Sequence, residues 1–145
     1  MDIEELTARE AIRDVIARYN HAGDRGQLDD LVACFTEDGV MELPDTPPLR
    51  GHDSIRQHLE GVVAALRGST ERATLAHHVA SLRIQRTAPD AARAEAYFSV
   101  YTEIGLDHWG RYSDRLLRTG DRWRIALRRV RVDGAVSHSR MVSQR

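Results

Sequence analysis

In Leu75-Ala76-His77-His78-Val79-Ala80-Ser81-Leu82-Arg83-Ile84-Gln85-Arg86 the apolar residues begin to recur at every second position, the spacing of a half-buried strand. The same period runs through 92–104, 109–118 and 123–132, so four long strands are predicted. Their connections are short, at 87–91, 105–108 and 119–122, the last with Gly120-Asp121 as a hairpin turn. Short connections make consecutive strands antiparallel neighbours.

Upstream of this stretch the period is helical. Ile3, Leu6, Ile12, Val15, Ile16 and Tyr19 follow one helix face, and Thr7 with Glu10 has capping-box spacing. The apolar series runs through both, so the helix begins either before Thr7 or at it. Gly23 and Gly26 bracket Asp24 and Arg25 and end the helix. A short helix is predicted over 28–35, then a turn over 36–39 into a short strand over 40–43. Pro44, Pro47 and Pro48 make the next segment an irregular loop. Gly51 leads into a third helix with Ile55, Leu59, Val62, Val63 and Leu66 on one stripe, stopped near Gly68. Three helices followed by an antiparallel meander give an α+β fold, a curved sheet wrapped over helices with a pocket between its concave face and the first helix.

The bulk numbers agree with one domain over 1–145, its core at about 6–132 and a C-terminal tail at 133–145. Hydrophobic residues make up 41% and charged residues 30%, enough for both a core and solubility. A formal net charge of −1 gives no global reason to seek nucleic acid or anionic lipid. No apolar stretch is long enough to span a membrane, and the acidic N-terminus has no apolar signal region, so a cytoplasmic location is expected. Cys34 is the one cysteine, and its neighbours Leu31, Val32 and Phe35 read as packing around a buried thiol. His21, His52, His58, His108 and His138 show no metal-ligand spacing, and no phosphate-cradling loop or serine elbow is present, so no metal and no cofactor is expected.

Four features, in this order, resemble the SnoaL-like and scytalone dehydratase-like branches of the nuclear transport factor 2-like superfamily, over about 6–132. They are Ala11-Ile12-Arg13-Asp14-Val15-Ile16-Ala17-Arg18-Tyr19 followed by Asp24, then Thr36-Glu37-Asp38-Gly39 behind the second helix. Leu49-Arg50-Gly51-His52-Asp53-Ser54-Ile55 is the third, and Gly110-Arg111-Tyr112 with Trp123-Arg124-Ile125-Ala126-Leu127-Arg128 is the fourth. The resemblance implies a cone fold with one pocket, three N-terminal helices on a curved antiparallel or mixed sheet, and a homodimer through the outer sheet face. It also implies that Asp24 pairs with His77 on the first long strand.

That pair suits proton transfer. An imidazole titrates near neutrality, and a carboxylate on its far nitrogen fixes the tautomer and stabilises the imidazolium. Tyr19, on the face of Ile12 and Val15, would donate a hydrogen bond to a developing oxyanion. Asp24 is equally an ordinary turn residue between glycines, and Tyr19 an ordinary core residue. Alternation leaves a conflict on the first strand. His78 shares the more apolar face with Ala80, Leu82 and Ile84, whereas the resemblance points to His77, and a pocket wall of mixed character favours His77. Trp109, Tyr112 and Arg128 are candidate substrate-binding residues, the arginine for a carboxylate or carbonyl, and Arg118 shares a face with Tyr112. The resemblance thus implies a cofactor-independent lyase or isomerase, of dehydratase or polyketide cyclase type, on a small hydrophobic ring or polyketide-like substrate. Two other readings remain: a non-catalytic small-molecule-binding module, and a small structural subunit resembling the β subunit of a ring-hydroxylating dioxygenase.

Overall fold

The first helix starts before Thr7. In this computed structural model, which describes residues 1–69 and 74–143, α1 spans Ile3–Asp24. The Asp2 carboxylate caps it by accepting the Glu5 N–H at 2.7 Å, while the Thr7 hydroxyl, one turn inside, donates to the Ile3 carbonyl. Ile12, Val15, Ile16 and Tyr19 are buried; Ile3 and Leu6, at the outer end of the same apolar series, are exposed. Gly26, at a φ of 68°, turns the chain in the left-handed region that glycine enters without strain.

The second helix, α2, is Leu28–Val32, shorter than expected because sheet pairing takes over at Phe35. The strand β1 (Phe35–Glu42) therefore includes the residues expected to form a turn, and the irregularity survives as a register break between Phe35 and Val40. A two-residue strand, β2 (Leu49–Arg50), follows the proline loop, and α3 spans Gly51–Ser69. The meander is β3 (Ala76–Ala88), β4 (Ala91–Thr102), β5 (Gly105–Thr119) and β6 (Arg122–Ala135).

These strands form one mixed sheet in the order β2-β1-β6-β5-β4-β3, in which β1 runs parallel to β6 and the other neighbouring pairs are antiparallel. α1 packs against β3 and β6, and α3 against β1. Ile12, Phe35, Ile55, Leu116 and Ile125 are fully buried at the centre of the resulting core. No helix among the described residues is long and apolar enough to cross a membrane. Of the expected tail, Asp133 to Ala135 belong to β6, and the last two residues, 144–145, lie outside the described residues.

Two β-bulges decide which side chains face inward. In β3, Ala80 pairs with Tyr97 but Arg83 pairs with Glu95, so Ser81 and Leu82 together oppose Ala96. Ser81 takes the extra step at a φ of 52°. The parity changes there, and His77 and Val79 before the bulge share the inner face with Leu82 and Ile84 after it. This removes the conflict that strict alternation creates. His78 points outward, its ring 4.8 Å from that of Tyr101. In β5, Val100 pairs with His108 and Tyr101 with Leu106, which leaves Asp107 as the extra residue. Asp107 and His108 are consequently both buried although consecutive, and 105–108 is strand rather than the expected connection.

Candidate active site

Across β3, β4 and β5, His77, Val100 and His108 stand in one row. The two histidine backbones are thus two strand spacings, about 10 Å, apart. Both side chains line a cavity of about 800 Å3, whose wall is otherwise mainly apolar and includes Leu31, Met41, Leu59, Val63, Phe98 and Val130. Tyr19 and Asn20 reach it from α1, and Tyr112 from β5.

Asp24, the last residue of α1, holds His77 twice. Its Oδ1 lies 2.5 Å from the ring Nδ1, and its Oδ2 accepts the His77 backbone N–H at 3.0 Å. An ionised carboxylate only accepts, so Nδ1 carries the proton and Nε2 is left as the free nitrogen. Asp24 is the last residue of α1, just before the Arg25-Gly26 turn, and this position lets its carboxylate meet β3.

A second carboxylate holds the second ring. Asp107 Oδ1 lies 2.8 Å from His108 Nδ1, and Asp107 is fully buried. Burial alone would raise the Asp107 pKa, but hydrogen bonds from the Ser139 hydroxyl, the Arg140 amide and His108 outweigh it and lower it. The His108 pKa is also lowered: its burial outweighs the pull of Asp107, and His77 adds to the depression. His108 is therefore a neutral ring with Nε2 free, edge-on to Phe98 at 5.9 Å.

Tyr19 and Tyr112 are raised in pKa by burial, which Arg128 only partly opposes, so both hydroxyls stay protonated donors. Tyr112 stacks on Phe98 at 4.5 Å. Arg128 does not reach the cavity as expected. It is fully buried, bonded to its cross-strand partner Asp114 through Nε at 2.9 Å and Nη2 at 2.7 Å. Its guanidinium lies between the two tyrosine rings, 4.3 Å from Tyr19 and 4.0 Å from Tyr112. Burial opposes its charge, but Asp114 more than compensates, so it stays protonated. Nε and Nη2 are held by Asp114, Nη1 is buried with no hydrogen-bond partner among the described residues, and the guanidinium braces the two tyrosine rings.

Trp109 is also misplaced by the sequence reading. The bulge at Asp107 puts His108 inward and Trp109 outward, where the indole is partly exposed and lies over Gly134. A Cβ at 134 would collide with that ring, so any larger residue there would force the indole to move. Arg118, at the far end of β5, is exposed. Cys34 is buried and its thiol donates to the Asp30 carbonyl at 3.4 Å.

Two cavity residues, His108 and Asn20, escape the sequence reading, as does Asp107 behind the first of them. His108 and Asp107 do so because they lie in what reads as a connection. Asn20 gives no signal beyond polarity on an otherwise apolar helix face; it is buried, and its Oδ1 has no hydrogen-bond partner among the described residues. A buried acceptor left open at a cavity wall is a place for a ligand hydroxyl or N–H.

Similar folds are found among solved structures. A protein of unknown function from Mycobacterium tuberculosis is 28% identical with a TM-score of 0.77, over 92% of this chain and 76% of that one. A candidate scytalone dehydratase from Novosphingobium aromaticivorans is 20% identical with a TM-score of 0.83, over 95% and 92% of the two chains. A protein from Catenulispora acidiphila, solved in complex with S-DNPA, is 25% identical with a TM-score of 0.75, over 88% and 95%. No curated protein matches the chain significantly. The model of the SnoaL-like domain family matches residues 4–129, and the chain belongs to that family, on a nuclear transport factor 2-like fold.

Proposed function

We propose that the protein is a cofactor-independent lyase or isomerase that moves a proton on a small, largely apolar ring or polyketide-like substrate. The observation that carries this is a pair of carboxylate-backed imidazoles in one row on the wall of one cavity. His77 Nε2 takes the proton from a carbon α to a carbonyl, and Asp24 holds the ring and stabilises the imidazolium. Tyr19 donates to the oxygen on which negative charge develops. His108, neutral and with Nε2 free, accepts a hydroxyl proton or hydrogen bond at the other end of the row. Asn20 Oδ1 accepts from a further ligand donor. Asp114 balances the Arg128 charge and Arg128 does not line the cavity, which favours a neutral substrate over a carboxylate. The S-DNPA complex of the Catenulispora acidiphila protein supports a small-molecule occupant on this fold.

The outer sheet face exposes Tyr97, Tyr101 and Trp109, and we assign the homodimer contact to it. Sedimentation of the wild type against a Tyr97→Lys, Trp109→Lys double variant checks this; a monomer in both rules the contact out.

The test of the reaction is deuterium exchange from heavy water into a panel of neutral cyclic ketones, followed by NMR. Exchange catalysed by the wild type should fall about 10²–10⁴-fold in His77→Ala. Undiminished exchange in a folded His77→Ala protein defeats the proposal. Saturable binding with no exchange in the wild type makes the protein a binding module instead.

A further inference from the structure

The carboxylate of Asp107 has more partners than His108. Its Oδ1 also accepts the Ser139 hydroxyl at 2.6 Å, and its Oδ2 accepts the Arg140 backbone N–H at 2.6 Å. The Asp107 carbonyl accepts the N–H of Val136 at 3.0 Å. The chain beyond β6 is thereby fastened to one fully buried side chain on β5.

Beyond these bonds the chain becomes cavity wall. The Ser139 hydroxyl accepts the Met141 N–H at 3.2 Å and the Val142 N–H at 2.9 Å. Met141, Val142 and Ser143 line the same cavity as His77 and His108. The Arg140 guanidinium pairs with Glu103 at the β4–β5 turn. An unbroken path of hydrogen bonds thus runs from the His108 ring through Asp107 to the segment that lines the cavity.

Asp107 shares one negative charge among donors on two sides. With residues 136–143 seated, Ser139 and Arg140 satisfy much of that charge, and the pull on His108 is weaker. With the segment lifted, His108 is the remaining side-chain donor, and holding an extra proton on its ring becomes easier. In a buried, low-dielectric setting such shared bonds influence one another strongly. Coupling of this kind is reciprocal, so the state of the ring bears equally on the seating of the segment. The charged and titratable groups on this cluster are Asp107 and His108 on β5, His77 on β3, and Arg140 with Glu103 at its edge.

We propose that Asp107 is a positioning residue that couples the seating of residues 136–143 over the cavity to the hydrogen-bonding state of His108, so that a neutral ring with a free Nε2 is presented when the cavity is closed. This rests on the cavity being the ligand site, but not on the proton-transfer step. Its readouts need no substrate.

The experiment is nitrogen-15 NMR of the histidine rings together with amide hydrogen exchange, on the wild type, Ser139→Ala and Asp107→Asn. In Ser139→Ala, which removes a tail-side bond and leaves Asp107 and His108 intact, amide exchange at 140–142 should quicken about tenfold. The His108 titration should move upward, by about half a pH unit or more. In Asp107→Asn the Nδ1-protonated form of His108 should lose its dominance and the segment should lose protection. If Asp107→Asn does not fold, Ser139→Ala decides alone. Faster exchange with an unmoved His108 titration would overturn the coupling, as would an unchanged rate at 140–142. The same spectra on His77→Ala separate the two claims: that variant should lose proton exchange into ketones yet keep the coupling.

Discussion

The two carboxylate–imidazole pairs of the cavity are built from the same groups by different means. Asp24 comes from the end of a helix and His77 from a strand 53 positions on, and both side chains remain partly exposed, at 19% and 18%. Asp107 and His108 are adjacent, and only a bulge lets both turn inward; the carboxylate is fully buried and the ring is 9% exposed. Both oxygens of Asp24 are used on His77, whereas Asp107 divides its oxygens between His108 and the C-terminal segment. A partly wet, singly committed carboxylate suits a ring that must change charge during a reaction. A dry carboxylate with several partners suits a ring that is to be kept in one state.

The largest effect should come from breaking the first pair at its ring, with the 10²–10⁴-fold loss of exchange expected of His77→Ala. His108→Gln keeps a polar side chain in the cavity and should lower turnover less, by about tenfold, through poorer orientation of the ligand. Equal losses in steady-state kinetics would mean that the two rings share one role and that the contrast in burial is irrelevant to chemistry.

Stability should show the opposite asymmetry. Asp107→Asn removes charge from a buried carboxylate with three donors and should cost about 3 kcal/mol in urea unfolding. Asp24→Asn, in partial contact with solvent, should cost about 1 kcal/mol or less. Asp114→Asn provides the scale, because it leaves the buried Arg128 without its counter-charge and should cost about 3–5 kcal/mol. Similar losses at Asp24 and Asp107 would remove the contrast.

A smaller effect is expected with pH. The folded pKa of His108 is depressed by burial, so below its ordinary value of 6.5 the unfolded chain takes up a proton that the folded chain resists. Stability is therefore full above 6.5 and falls as pH drops from there towards the folded value, by at most about 1.4 kcal/mol per unit. Asp107, also depressed, adds stability that is present above 3.8 and lost as pH falls through its own folded value. Thermal melts between pH 5 and 8 check the first window, and His108→Gln should flatten it.

Much of this arrangement is legible in the sequence. The change of period at Leu75 places the meander, and the glycines around Asp24 after Tyr19 mark a helix end whose carboxylate can meet the first long strand. The second pair is not legible. Gly105-Leu106-Asp107-His108 has the composition of a connection, and nothing in alternation announces a bulge that turns two consecutive residues inward. The conflict between His77 and His78 is the visible trace of the other bulge, at Ser81, because a parity that contradicts itself along one strand needs an extra residue. Arg128 is opaque for a different reason. Its period puts it on the inner face, but only the register shows Asp114 directly opposite, where its carboxylate bonds Nε and Nη2 and balances the charge.

The most direct test is a crystal structure with a bound neutral ring ketone that exchanges slowly. The acidic carbon should lie about 3–3.5 Å from His77 Nε2, with its carbonyl oxygen towards the Tyr19 hydroxyl and a ring hydroxyl towards His108 Nε2. A ligand seated in the cavity with its acidic carbon well away from His77, or one bound outside the cavity altogether, would contradict the account.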